Sequence, residues 1–253
     1  MTVTNNRPAG FASGAFRALE IGIEAAMKWN KKSGATAFEI TFGTLQEIAD
    51  FFINPAILRM RKELSHFSIH LPFKGLTQYD KAFCSQLLSV LKPFSDVLLP
   101  DAAVVHVELI QSWEPLIFLK ETLKIPIAVE NADCRKNIQT DIPLLLEGAD
   151  LGFNLVFDIA HARSRISEQG ENPLLWTGLL EKGKPLARCL SHIHASMNTP
   201  GGSHTCLSGH PQSNEVIDFL NSGVLTHKPV ILEGPLMEAT LKNLAAELEG
   251  LQL

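Results

Sequence analysis

Residues Leu155-Val-Phe-Asp-Ile-Ala-His-Ala162, LVFDIAHA, begin apolar like a buried strand and then carry an Asp and a His three positions apart. Both groups are costly to bury without partners. In an unbroken strand successive side chains alternate faces, so Asp158 and His161 would point opposite ways. They converge only if the chain leaves the strand between them. Such a pair marks a site at the mouth of a sheet, and the rest of the chain must supply its partners.

Seven other apolar stretches punctuate the chain in the same way: GFASGAF (10–16), AFEITFG (37–43), HFSIHLPF (66–73), AAVVHVE (102–108), IPIAVENA (125–132), CLSHIHASM (189–197) and PVILEGP (229–235). With NLVFDIAHA (154–162) they make eight candidate strands. Between them, apolar residues recur at helical spacing over 18–32, 45–64, 80–94, 114–123, 140–148, 173–182, 214–221 and 236–248, several opening on Thr, Asp or Asn caps. Eight strands alternating with eight helices in 253 residues predict an α/β fold, a (β/α)₈ TIM barrel formed as one domain over residues 1–253. The doubly wound alternative lacks a GxGxxG turn after the first strand.

The formal net charge of −5 weighs against a partner whose binding rests on phosphate backbone. Four cysteines without a CxxC pair read as reduced thiols. No apolar run reaches the roughly 18 residues of a membrane span, and the first residues show no secretory leader. A cytoplasmic protein without a membrane partner is expected.

In a barrel, chemistry gathers where strands end, on the C-terminal face. The late part of each strand from the third to the eighth carries such a group: His70, His106, Glu130, Asp158 with His161, His194 and Glu233, and His204 follows in the loop GGSHTCLSGH. One strand histidine alone is usually a hydrogen-bonded core residue. Six consecutive strands presenting such groups would be expensive to pack without a cation. A divalent ion resolves that cost, because neutral imidazole and carboxylate are among its preferred ligands.

The series HLPF, VVH, VEN, FDIAH, IH, a loop His and LEGP, in this order, resembles the xylose isomerase-like TIM-barrel superfamily, which holds sugar isomerases, ketose 3-epimerases and AP endonucleases of the endonuclease IV type (AP endonuclease family 2). The resemblance implies one ion on Glu130, Asp158, His194 and Glu233. It also implies a second near His70, His106 and Glu130, with Glu130 bridging. In the endonucleases His161 and His204 join an Asp of the loop as ligands of a third ion. Here Gly202 holds that Asp's place, and Met197 stands where another Asp is usual. His161 and His204 are therefore read as substrate contacts or weak ligands, unless Cys206 or His210 substitutes. The ion is Mn²⁺, Zn²⁺, Mg²⁺ or Co²⁺.

Two chemistries compete, and the reading favours the first. A metal-dependent sugar or sugar-phosphate isomerase or epimerase would move a proton through a metal-stabilised enediolate, with Glu130 and Glu233 as the catalytic pair. A zinc-dependent phosphodiester hydrolase would use several ions. A metal-binding barrel without catalysis is a third reading. Among the cations near strand ends, Lys74 and Arg163 are expected to contact substrate, while Arg135, Lys136 and Arg165 read as loop charges. Glu39 shares a face with Thr41 and either reaches the mouth or is a hydrogen-bonded inward group. His192 is expected deeper than His194, and His66 and His227 at the surface of the opposite end. A sugar or sugar phosphate is the expected partner, with nucleic acid second; self-association is compatible with the sequence.

Overall fold

The structure, a computed structural model, describes residues 7–132, 141–169, 176, 178–199 and 203–251. Eight parallel strands close on themselves: β1 (Ala9–Ala12), β2 (Ala37–Thr41), β3 (His66–His70), β4 (Ala102–His106), β5 (Ile127–Glu130), β6 (Asn154–Asp158), β7 (Leu190–Ala195) and, after a two-strand hairpin of β8 (Met197–Asn198) and β9 (His204–Thr205), β10 (Val230–Leu232). Each barrel strand lies within or within one residue of a stretch read from the sequence. The reading succeeds because barrel strands are buried on both faces, which leaves continuous apolar runs.

The helices match less closely, for local reasons. The stretch 45–64 is two helices, Leu45–Ala49 and Pro55–Lys62. Asn54 accepts from the backbone N–H groups of Ala56 and Ile57, and Pro55 follows, so a new helix starts there. After β1 the chain takes a 3₁₀ turn over Ser13–Leu19, and the first α-helix begins only at Ile23. The larger correction concerns LVFDIAHA. The strand ends at Asp158, and a helix covers Ile159–Gln169. The carboxylate Oδ1 of Asp158 accepts the backbone N–H of His161 at 2.6 Å, the contact of a helix N-cap with its third residue. The three-residue spacing is thus a cap, and it turns His161 back over the strand end. Residues Arg135, Lys136 and Gly202, and part of the expected helix 173–182, lie outside the described residues.

A large apolar core fills the space between sheet and helices, with Phe38, Phe67, Phe153 and Phe157 among its residues. The barrel interior is different. It holds two small apolar clusters, Ala102, Val104, Ala128 and Val156 on one side and Ala12, Ala37 and Ile231 on the other. Between them runs a polar column of His66, Ser68, Glu39, His192 and His194, all buried.

His66 corrects an expectation: it is 6% exposed, and its ring lies 4.7 Å from that of His192. Burial, helped by the nearby His192, brings its pKa down to about 2. The unfolded chain therefore binds more protons than the folded one between about pH 2 and 6.5, and stability falls as pH drops below about 6.5. From about pH 6.5 to about pH 5.5 this one group is expected to remove about 1 kcal/mol. Urea titrations of wild type and His66→Gln at both pH values measure it. Equal pH sensitivity of the two proteins would remove His66 from the explanation.

Candidate metal centre at the barrel mouth

Strand register brings the donors together. His106 is the direct register partner of Glu130, and Asp158 that of His194. Glu233 follows β10, with its N–H bonded to Ala195 O at 3.1 Å. Four groups result whose donor atoms lie within 4.8 Å of one another: His70–His106–Glu130, Glu130–Asp158–His194–Glu233, Asp158–His161–His204 and Glu39–His192–His194. All eight metal candidates read from the sequence belong to the first three groups.

Four of the five histidines of the first three groups, His70, His106, His161 and His194, have one nitrogen anchored and the other turned to the cluster. His70 Nδ1 lies 3.0 Å from Leu71 O, His106 Nδ1 3.1 Å from Glu108 Oε1, His161 Nδ1 2.7 Å from Asn131 O and His194 Nε2 3.2 Å from Glu39 Oε2. Such acceptors set the ring's tautomer and leave the opposite nitrogen as a donor pair for a cation. His70 Nε2 and His106 Nε2 accordingly face each other at 2.9 Å, with Glu130 Oε2 3.1 and 3.3 Å away. His194 Nδ1 sits between Glu130 Oε1 at 3.1 Å and Glu233 Oε1 at 3.3 Å. His204 Nδ1 lies 3.0 Å from Ser196 Oγ and 3.8 Å from Glu233 Oε2. Asn131 joins the ends of β5 and β6: its amide donates to Asp158 O at 3.0 Å and its oxygen accepts from Asp158 N at 2.7 Å.

The electrostatics fit a cation. Burial alone would raise the Glu130 carboxyl, but His194 and His106 nearby, and the hydrogen bonds to His194 and His70, hold it well below the carboxylate range. Burial opposes charge on His194 too, yet Glu233, Glu39 and Glu130 push its pKa well above the ordinary imidazole value. Glu233 is pushed well above its own range, first by burial and then by Glu130, Asp158 and Glu39, against the pull of His194. Glu233, crowded in this way, favours its protonated form, and a divalent ion would displace that proton. The fully buried Asp158 Oδ2 has no hydrogen-bond partner, as expected of a ligand oxygen.

The third group has a carboxylate despite Gly202, because Asp158 itself reaches His161 and His204. Cys206 and His210 do not substitute: the Cys206 thiol faces Pro235 O at 3.3 Å, and His210 Nδ1 accepts from Gln212 N at 3.2 Å. Met197 is buried at the hairpin base.

A cavity of about 270 Å³ opens over the donors, lined by His70, His106, Glu130, His161, His204 and Glu233 and also by Ala12, Gly14, Ala15, Arg17 and Thr41. Phe73 also lines it, its ring stacked on His106 at 5.0 Å. Lys74 and Arg163 are not among the lining residues. Lys74 is exposed beside Gly43; Arg163 donates to Gln212 Oε1 at 2.9 Å and lies 3.7 Å from Glu215 on the flank of the barrel. Arg165 is 1% exposed rather than a loop charge. Arg17 escaped the sequence reading because it lies in an irregular turn after a strand without other polar signals. Glu39 proves to be the hydrogen-bonded inward group, bound also by Ser68 Oγ at 2.8 Å, and His192 lies beneath His194 as expected.

A closed parallel barrel with clustered imidazoles and carboxylates at one rim defines the class of molecule. No family model matches the chain, and no curated protein matches it in sequence. Solved structures do. Endonuclease IV from Thermus thermophilus superposes with a TM-score of 0.69 at 18% identity, over 96% of this chain and 99% of that one. A D-tagatose 3-epimerase-like protein gives 0.62 at 16%, over 96% and 94%. A xylose isomerase domain protein from Alicyclobacillus acidocaldarius gives 0.62 at 13%, over 95% of each chain. The chain has the xylose isomerase-like barrel fold, which enzymes of different chemistry share. Among the described residues no helix is long and apolar enough to cross a membrane.

Proposed function

We propose that the barrel mouth is a polynuclear divalent-metal centre that hydrolyses phosphoesters. One observation carries this reading over the isomerase favoured by sequence: three donor groups are chained by shared carboxylates, Glu130 joining the first to the second and Asp158 the second to the third. A single-ion isomerase has no use for His70 and His106 turned onto Glu130. Divalent ions held there would supply Lewis-acid stabilisation of a phosphoryl group and an acidified water. His70, His106 and Glu130 would hold one ion, Glu130, Asp158, His194 and Glu233 another, and His161 and His204 with Asp158 a third. Zinc, manganese or cobalt suits this imidazole-rich set better than magnesium.

The chain's own residues do the rest. Leu71 O, Glu108, Asn131 O and Glu39 keep the imidazoles from turning away. Phe73, Ala12 of β1 and the small residues Gly14 and Ala15 of the turn after it wall the cavity. The substrate would enter over His106, His204 and Glu233, the donors with the most exposed side chains.

The second group by itself supports a different reading, an isomerase or epimerase with one ion and a sugar or sugar phosphate as substrate. Glu130 and Glu233 flank His194 from two sides, so one carboxylate could take a substrate proton and the other return it.

Metal analysis and His106→Ala separate the two. The hydrolase reading expects at least two ions per chain, and the variant should lose one of them with at least roughly 100-fold of its activity on bis(p-nitrophenyl) phosphate. One ion per chain, with ketose epimerisation surviving in the variant, would establish the isomerase instead. Bound metal without turnover of either kind would mark a binding barrel.

A further inference from the structure

We infer that Gly234 and Ser196 are positioning residues for His204, and that through them the third donor group is filled separately from the other two. The inference rests on the polynuclear reading above and adds the order in which its ions are held.

The donors of the three groups are held unequally. Seven of the eight come from the closed barrel: His70, His106, Glu130, Asp158 and His194 lie on its strands, Glu233 follows β10, and His161 is in the first turn of the helix after β6. His204 alone comes from the hairpin, where β9 pairs with β8 and Asn198 stands opposite it. Its side chain is also the most exposed of the eight, at 20% against 15% for Glu233 and 14% for His106. A two-stranded ribbon is marginal by itself, so contacts beneath the hairpin decide where His204 stands.

Gly234 makes the first of them. A Cβ there would meet Thr205 O at 2.5 Å and Cys206 N at 2.7 Å, backbone atoms of the two residues directly after His204. Gly234 is not among the glycines with positive φ, so space rather than conformation requires the missing side chain. A methyl group at this point has to displace one of the two segments. The end of β10 is held on both sides, Glu233 N donating to Ala195 O at 3.1 Å and Leu236 N to Ala15 O at 2.9 Å. The hairpin's backbone pairs with itself, and Asn198 Nδ2 on Ala160 O at 2.6 Å is a side-chain tether that can swing. The hairpin therefore yields, and His204 moves with it.

Ser196 makes the second. It is 1% exposed, and its Oγ lies 3.0 Å from His204 Nδ1. The other four imidazoles lean on carbonyl or carboxylate oxygens, which only accept and so fix the ring's tautomer. A hydroxyl donates as well as accepts, so Ser196 places the ring but leaves its tautomer for an ion to select. The third group thus offers one carboxylate, shared with the second group, and two imidazoles, one of them on the hairpin. It is the last group to fill and the first to empty.

The test uses the full-length protein, stripped with chelator and titrated with zinc against a chelating indicator, with ions per chain counted by elemental analysis. Wild type is expected to take two ions tightly and a third at least about 10-fold more weakly. Gly234→Ala and Ser196→Ala should each weaken the third step by about 10-fold or more and leave the first two unchanged. In a His204→Ala background neither substitution should alter zinc uptake further, whereas a merely structural role would move the thermal midpoint alike in both backgrounds and leave the third step untouched. That second pattern would overturn the inference. So would loss of the second ion in Gly234→Ala, which would show that Glu233 moves instead of the hairpin. If Gly234→Ala fails to fold, Ser196→Ala decides by the same readout. Three ions of equal affinity in wild type, or two without a third, would also overturn the inference, and a single ion would sink the polynuclear reading together with it.

Discussion

Replacing Glu130 with glutamine is expected to weaken cation binding at two donor groups together and to lower turnover by at least roughly 10³-fold, several kcal/mol of lost transition-state stabilisation. Glu130 is 2% exposed and, among the described residues, is the one carboxylate within reach of His70, His106 and His194. It is also the group whose ionisation those imidazoles enforce. Glutamine keeps the shape but offers one neutral oxygen, so it can serve one side of the cluster and leaves the other without a bridge. The metal-free variant should also unfold more easily, by about 3 kcal/mol, because removing one partner of a buried charged set strands the rest. Elemental analysis, steady-state kinetics and urea unfolding in chelator read the three effects. Wild-type metal content in Glu130→Gln would show that the first two groups do not share a ligand, and the polynuclear reading would fail with it.

Chelation of the wild-type protein is expected to lower its melting temperature by about 10 °C for each ion removed. Each ion bound at about 1,000 times its dissociation constant adds about 4 kcal/mol to the folded state, and in a chain of this size about 1 kcal/mol corresponds to about 2–4 °C. The apo mouth gathers Glu39, Glu130, Asp158 and Glu233 around imidazoles. Removing the ions therefore leaves Glu233 crowded by Glu130, Asp158 and Glu39 with no cation between them. The same logic fixes the pH dependence of the metal effect: imidazole ligands must be neutral, and His194 without an ion keeps its proton well above the ordinary imidazole value, so the stabilisation by added zinc should shrink as pH falls, beginning above that value. Scanning calorimetry with zinc and with chelator at about pH 7.5 and about pH 5.5, on either side of the ordinary imidazole pKa, tests both statements. Identical melting in zinc and in chelator would mean that no ion is resident in the mouth.

Much of the fold is legible because burial on both faces writes barrel strands as apolar runs, and because caps such as Asp80 and Thr240 are visible as letters. The single helix expected over 45–64 divides because Asn54 and Pro55 carry a start signal stronger than the apolar period that runs through them. Alternation along β2 and β7 puts Glu39, His192 and His194 on inward faces. It does not say that Glu39 meets His194 across the barrel, since that contact depends on how far around the cylinder β2 lies from β7.

The order of donor types along the chain, their position late in each strand and the apolar period that makes the strands are properties of the sequence itself, because they depend only on near neighbours in the chain. Which donors share a cation is a property of the closed barrel: the register pairing His106 with Glu130 and Asp158 with His194, and the cap that turns His161 inward. Those arise from contacts between residues far apart in the chain, and closure of the sheet is the physical event that brings them within bonding distance.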